Sequence, residues 1–274
     1  MSENDFLAEL AQWRQEADDA LRKDIGWLTL AGLFWLEPGE NCLGTDPANQ
    51  VVLPAGTAAD YAGSIYLDGD QIMLQVASGV EMSVDGQAVT QLALKPDVSG
   101  EAVYLRHNSL TMMLIQRGKR YAIRLWDQDN PARQNFGGRR WYPAQESYRL
   151  PAQFAAYETP KEIMLPNKIG DDQPAALIGE VSFELHGEAS RLHALEAGED
   201  HIFIIFKDGT SGKETYPPGR YLYTAVQKAG ALTLDFNRAY NPPCAFTDFA
   251  TCSLPPAGNA LALRVEAGEL YSKH

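Results

Sequence analysis

An all-β fold, with two packed antiparallel β-sandwich or barrel-like domains behind one N-terminal helix, is what these 274 residues predict. Three observations carry that expectation. From Val51 onward, short apolar segments such as QVVLPAG, GSIYLDGD, QIMLQVASG and KRYAIRLWD follow one another at close intervals, broken by Gly, Asp and Pro. Asp-Gly pairs at Asp68-Gly69 and Asp85-Gly86 suit two-residue hairpin turns, whose central positions need positive φ. No Gly-rich loop opens a helix and strands do not alternate with helices, which disfavours dinucleotide-binding and P-loop folds. An apolar content of 45% supplies a core that a disordered acidic chain lacks.

Residues 1–24 predict an amphipathic helix, because Phe6, Leu7, Leu10, Trp13, Ala17 and Leu21 recur at spacings of three and four. Residues 25–128 predict the first antiparallel β-domain. Residues 129–179 carry six prolines and little periodicity, so they predict a long irregular connection. Residues 180–274 predict a second antiparallel domain running from GEVSFELHG to NALALRVEAGEL, with turns at Asp208-Gly209 and at residues 228–230.

The formal charge of −13 argues against a nucleic-acid binder, which needs clustered Lys and Arg. No apolar run is long enough for a membrane span, and the N-terminus lacks a basic stretch followed by an apolar one, so a cytoplasmic setting is expected. The charge is uneven. Residues 25–116 hold ten acids against two bases, whereas residues 117–149 hold eight bases against three acids. That island is mostly Arg, whose planar fork suits carboxylate and phosphate. Two readings follow: its arginines pair with surplus acids, or Arg133 and Arg139 in PARQNFGGRRWYP hold a small anion.

The segment TLDFNRAYNPPCAFTDFATC is the densest in polar side chains. Alternation with Leu232, Leu234 and Phe236 predicts Thr233, Asp235 and Asn237 on the opposite strand face, ahead of a loop stiffened by Pro242 and Pro243. Asp235 as a general base, assisted by Asn237 and Tyr240, is chemically reasonable. A buried hydrogen-bond network fixing the loop suits the same residues. Cys244 as a nucleophile would need a base from His107, His186, His193 or His201, and none lies in a cysteine-hydrolase motif. A GxSxG elbow and an HExxH pair are both missing, so neither a serine hydrolase nor a metal site is expected, nor is a cofactor. Cys42, Cys244 and Cys252 are too few for a disulfide scaffold, and a Cys244–Cys252 bridge is left open.

GWLTLAGLFWLEPGEN, RGKRYAIRLWDQDNPARQNF, FKDGTSGKETYPPGRYLY and LDFNRAYNPPCAF together resemble a bacterial family known only as a domain of unknown function. LGTDPANQVVLP, the hairpins after it and SVDGQAV are also weakly similar to a forkhead-associated β-sandwich. The first resemblance implies one functional unit and brings no activity with it. Its motifs mark Trp35, Asn41, Asp127, Arg133, Tyr216, Arg220 and Asn241, with Cys244, as ligand-binding candidates around Asp235, Asn237 and Tyr240. The expectation is a hydrolase-like enzyme acting on a small polar or anionic metabolite; the alternative is a non-catalytic binding module for a small anionic ligand or an acidic peptide. A small-molecule ligand is expected, and neither nucleic acid nor membrane.

Overall fold

The computed structural model describes residues 3–198 and 200–271. The fold is all-β, and the chain divides into two compact units. One comprises residues 20–136; the other joins residues up to 19 to those from 137 onward.

The first unit holds eleven strands: β1 (Leu30–Trp35), β2 (Gly39–Gly44), β3 (Val51–Val52), β4 (Gly63–Asp68), β5 (Gln71–Val76), β6 (Met82–Val84), β7 (Gln87–Val89), β8 (Gln91–Ala93), β9 (Leu105–His107), β10 (Leu110–Arg117) and β11 (Arg120–Asp127). They form two sheets, ordered β1-β11-β10-β9-β6-β7 and β3-β2-β4-β5-β8, antiparallel except for the β2–β3 pair. Leu43, Ile65 and Leu74 from one sheet meet Leu105, Met112, Leu114 and Leu125 from the other in a shared core, which makes this unit a sandwich. The near-continuous apolar run of β10 and β11 has a direct cause. Their second face is covered too, by Leu30 with Met113, Ile115, Ala122 and Trp126. Both expected hairpins form, β4–β5 and β6–β7; Asp85 and Gly86 fill the second turn at φ 50° and 77°, whereas in the first Asp68 closes β4 opposite Gln71 and the turn falls on Gly69-Asp70, with positive φ at Gly69 alone.

The second unit begins with α1 (Glu3–Leu21), which buries Phe6 and Leu10 and turns Trp13 edge-on to Trp141 at 5.6 Å. Leu7 on the predicted stripe is exposed. Strands β12 (Arg149–Pro166), β13 (Asp172–Leu185), β14 (Glu188–Glu196), β15 (His201–Phe206), β16 (Arg220–Ala225) and β17 (Ala231–Asp235) form one sheet, ordered β16-β15-β14-β13-β12-β17. Its edges approach: Thr224 of β16 donates to the Thr233 carbonyl of β17 at 2.9 Å, and the sheet is nearly a closed barrel around Phe183, Ile204, Phe206 and Phe236.

Two expectations are corrected. The irregular connection over 129–179 is instead half strand, because β12 and β13 make a long hairpin across residues 149–185. Pro160 falls in the break of register between Ala156 and Lys161, and the hairpin beyond that break pairs on one side only, so its prolines deprive few ladder positions of a donor. The last expected strand, over 259–270, is irregular backbone with bends and only isolated bridges, at Ala260 and Glu269. Its Val265 and Ala267 carbonyls accept from Arg220 rather than from a neighbouring strand.

Candidate functional site

Sequence reasoning centred the site on Asp235, Asn237 and Tyr240 with Arg220 beside them; the structure pairs Asp235 with Asn237 and places Arg220 in a separate network. β17 ends at Asp235, and the tight helical turn Phe236–Arg238 breaks the alternation, so Phe236 and Asn237 are both buried. The Asn237 amide is saturated: Nδ2 donates to the Gln145 carbonyl and to Asp235 Oδ1, each at 2.9 Å, while Oδ1 accepts from Gln145 N at 3.0 Å. Asp235 Oδ1 also accepts from Asn237 N, as in a helix cap. This pair fixes the strand end.

Arg220 is sealed inside the barrel at 1% exposure. The YPPGR turn delivers it there: Gly219 has φ +119°, and a Cβ on it would lie 2.6 Å from the Phe206 carbonyl oxygen, so only glycine fits. Arg220 Nη2 donates to Asp208 Oδ2 and to the Val265 carbonyl, both at 3.0 Å, and Nη1 donates to the Ala267 carbonyl. Asp208 accepts in addition from Thr210 N, Thr210 Oγ1, Ser211 Oγ and Val265 N. Asp208-Gly209 is a turn as expected, and its aspartate is the counter-ion of a closed network.

The other candidates of this unit are held as follows. Tyr216 donates to the Cys244 carbonyl at 2.8 Å, and its burial pushes the phenol pKa up. Tyr240 exchanges two backbone hydrogen bonds with Tyr221 and lies parallel to the Tyr223 ring. Asn241 donates from its backbone to Glu269 Oε2 at 2.8 Å and from Nδ2 to the Leu270 carbonyl, leaving Oδ1 buried without a hydrogen-bond partner.

Tyr240 and Asn241 lead to a site that the sequence marked only through Arg139. A groove of about 460 Å³ runs along α1, walled by Leu7, Leu10 and Ala11 and floored by Arg14, Asp18, Arg139 and Trp141. Arg139 is 7% exposed, yet its nearest carboxylate atoms, Asp18 Oδ1 and Glu269 Oε2, each lie 3.7 Å from Nε. That exceeds hydrogen-bonding distance. Arg139 Nε is buried without a partner, and the guanidinium makes no hydrogen bond to any described residue. It sits instead among rings, 5.4 Å from Phe246, 5.8 Å from Tyr240 and 5.9 Å from Trp141. Arg14 covers the same indole at 4.7 Å and donates to the Tyr142 carbonyl. Desolvation lowers the Arg14 pKa.

Glu269, 2% exposed, stands behind Arg139. Gly268 at φ +83° places it; a Cβ there would lie 2.5 Å from the Ala239 carbonyl oxygen. Burial pushes its carboxyl up to about 7, against the opposing pull of Arg139 and the Asn241 hydrogen bonds. Arg139 therefore faces Asp18 and a glutamate whose carboxyl is held near neutrality, and Arg14 lines the same groove. This array can accept an anion and exchange a proton. Neither Asp18 nor Glu269 carried a motif or periodic signal; an acid in the last turns of a helix and one near the chain end read as solvated surface.

In the sandwich unit, Asn41 is fully buried in backbone contacts, donating to the Glu37, Gly39 and Ile65 carbonyls. Asp127 Oδ1 caps Asp129 N, and Arg133 pairs with Asp24 at 3.1 Å. Trp35 lines a second hollow of about 480 Å³ beneath Arg120, whose guanidinium lies 3.8 Å from the indole centroid. Among the described residues no group of three or more His, Cys, Asp or Glu is placed to hold a metal, and no helix is long and apolar enough to cross a membrane.

Comparison with known proteins adds the following. Residues 134–270 match the model of a family described as protein of unknown function (DUF1684). No curated protein matches the chain. Among solved structures, the uncharacterized protein from gene locus rrnAC0354 of Haloarcula marismortui is 33% identical, over 51% of this chain and 79% of that one, with a TM-score of 0.43. An FhaA FHA domain, solved with the intracellular domain of Rv3910, is 16% identical over 34% of this chain and 96% of that one, with a TM-score of 0.25. A second FHA domain, from a study of phosphothreonine-dependent interactions, is also 16% identical with a TM-score of 0.25, over 34% of this chain and 92% of its own. The family match spans half the chain and takes in Arg139, the DFNRAYNPPCAF segment and Glu269, and on it this chain belongs to DUF1684, a family of proteins of unknown function.

Proposed function

We propose that this protein binds a small anionic metabolite, of the carboxylate or phosphate class, in the groove along α1. Arg139 is the principal contact and Arg14 the second. The observation that carries this reading is a guanidinium 7% exposed with no hydrogen bond to a described residue and with its carboxylate neighbours at 3.7 Å. A buried arginine of purely structural use closes its donors on acceptors, as Arg220 does. A bidentate oxyanion supplies what Arg139 lacks. Trp141, Tyr240 and Phe246 hold the fork in place. The cytoplasmic setting expected from the N-terminal composition suits a metabolite ligand.

The hydrolytic reading has one observation in its favour, the Glu269 carboxyl held near neutrality beside the same arginine. In that reading Glu269, rather than Asp235, moves the proton.

Thermal denaturation with inorganic phosphate, succinate and a phosphomonoester, against chloride at matched ionic strength, tests the proposal. Ligand at about 100 times Kd stabilises by about 2.7 kcal/mol. Wild type is expected to gain melting temperature with at least one of these anions and Arg139→Gln to gain none. Equal gains in the two proteins would refute it. Turnover of the bound phosphomonoester, lost in Glu269→Gln with binding retained, would favour the enzyme over the binding module.

A further inference from the structure

We propose that Cys244 and Cys252 form an oxidisable dithiol, a modification site that a hydroperoxide converts reversibly to a disulfide. The two cysteines stand at the ends of the loop CAFTDFATC, and both are free. They are packed together: Cys244 N donates to Cys252 Sγ at 3.2 Å. Cys244 is 4% exposed and Cys252 8%, so the pair is shielded from larger thiols, while hydrogen peroxide is little bigger than water. Pro242 and Pro243 precede the pair and restrict the backbone ahead of it. The approach of Cys252 Sγ to the Cys244 backbone is therefore set by the fold.

The surroundings distinguish the two sulfurs. Tyr216 OH lies 3.4 Å from Cys244 Sγ, and the Lys168 ammonium, 3.2 Å from the Cys244 carbonyl oxygen, adds positive charge. The hydrogen bond from Cys252, then Tyr216 and Lys168, bring the Cys244 thiol down to about 7 against the effect of burial, whereas Cys252 is pushed up. Cys244 is the attacking sulfur. Its thiolate attacks one peroxide oxygen, the O–O bond breaks, and the departing oxygen leaves as water after taking a proton, so that Cys244 becomes a sulfenic acid. The Cys252 sulfur then attacks that of Cys244, the S–O bond breaks, and hydroxide leaves as water with the Cys252 proton. Two thiols lose two electrons, and one peroxide becomes two waters.

The test uses the full chain, titrated with hydrogen peroxide, alkylated under denaturing conditions and digested with trypsin. Both cysteines fall in the tryptic peptide over residues 239–264, and Cys42 falls in another, which gives an internal control. The expected result is loss of both labels from the 239–264 peptide in one step, with a mass two hydrogens lower, while Cys42 keeps its label. Dithiothreitol added under the same denaturing conditions, where burial no longer shields the pair, should restore both. In Cys252→Ser, dimedone should trap a sulfenic acid at Cys244. Oxidation of Cys42 before the pair, accumulation of singly labelled peptide in wild type, or oxidation of the pair only after unfolding in urea would each overturn the proposal. The wild-type measurement stands even if the variant does not fold.

Discussion

Arg220 and Arg139 are two buried guanidinia in one unit, and they are held in opposite ways. Arg220 donates to a carboxylate and to two carbonyls, and its carboxylate is itself saturated by Thr210, Ser211 and Val265. Arg139 has two carboxylates beyond hydrogen-bonding distance and three aromatic rings around it. Both satisfy the rule that a buried charge needs a partner, Arg220 by closure and Arg139 by proximity alone. The difference separates a residue that builds the fold from one that leaves room for a ligand. It also predicts unequal responses to substitution.

The largest effect belongs to the closed network. Arg220→Met leaves Asp208 buried without its counter-ion, and breaking such a pair from one side costs about 3–5 kcal/mol. Urea unfolding should show this loss at every pH where the wild type is folded. A loss below about 1 kcal/mol would mean that Arg220 is not the closed partner drawn above. The double variant Arg220→Met/Asp208→Asn should recover part of the stability, since it removes the stranded charge.

Glu269 comes next, and its effect depends on pH. Its carboxyl is raised from the ordinary value near 4.5 to about 7, so the folded protein holds a proton there that the unfolded chain has released. Its contribution to stability is therefore complete below about pH 4.5 and is lost as the pH rises toward 7. At about 1.36 kcal/mol per pH unit, the loss over that window is of order 3 kcal/mol. Glu269→Gln keeps a neutral side chain at all pH values. Unfolding free energies of the two proteins should diverge between pH 5 and 8, with the variant the more stable at the upper end; parallel curves would place the Glu269 proton elsewhere.

Asn237 ranks third. Removing its amide in Asn237→Ala leaves the N–H of Gln145 without a partner, while the carbonyl of Gln145 keeps the Tyr148 N–H, a loss of about 1–3 kcal/mol. Asp235→Asn should change stability by less, because the neighbouring Asn237 N–H can still donate to the new amide oxygen. Equal losses would mean that the charge of Asp235, and not the Asn237 amide, holds the strand end.

How much of this was legible in the sequence divides along physical lines. The fold class followed from local signals: period-two alternation, Asp-Gly turns, and the apolar run of β10 and β11. The β12–β13 hairpin was hidden because its prolines read as breakers, and only the register break near Pro160 and the one-sided pairing beyond it make them tolerable. The polar residues around Asp235 were correctly singled out as dense, but density does not distinguish a catalytic cluster from a saturated one. That distinction rests on which carbonyls lie within hydrogen-bonding reach, and those of Gln145, Val265 and Ala267 come from segments distant in sequence. Arg139 was visible as a member of a basic island. Its partners Asp18 and Glu269 are more than a hundred residues from it, and no motif links them.

The smallest expected stability effect is that of Arg139 itself, and it bears most directly on the comparison. Arg139→Gln removes a cation from between Asp18 and Glu269, and a naive count of buried ion pairs predicts a loss like that of Arg220→Met. The geometry argues otherwise. No hydrogen bond from the guanidinium to a described residue is broken, Asp18 Oδ2 keeps the backbone N–H of residue 139, and Glu269 without Arg139 holds its proton more firmly, because that arginine was pulling its pKa down. At pH 6 the variant should therefore lie within about 1 kcal/mol of wild type, because the neighbouring glutamate keeps its proton and the desolvation cost of the buried guanidinium goes with it. At pH 8 it should lose more, because Glu269 must then either keep its proton against the pH or ionise without its arginine. Anion-dependent stabilisation should vanish at both pH values. Measuring unfolding at pH 6 and pH 8, with and without phosphate, separates the two views: a loss of several kcal/mol at pH 6 would make Arg139 a second Arg220, built to hold the fold rather than to receive a ligand.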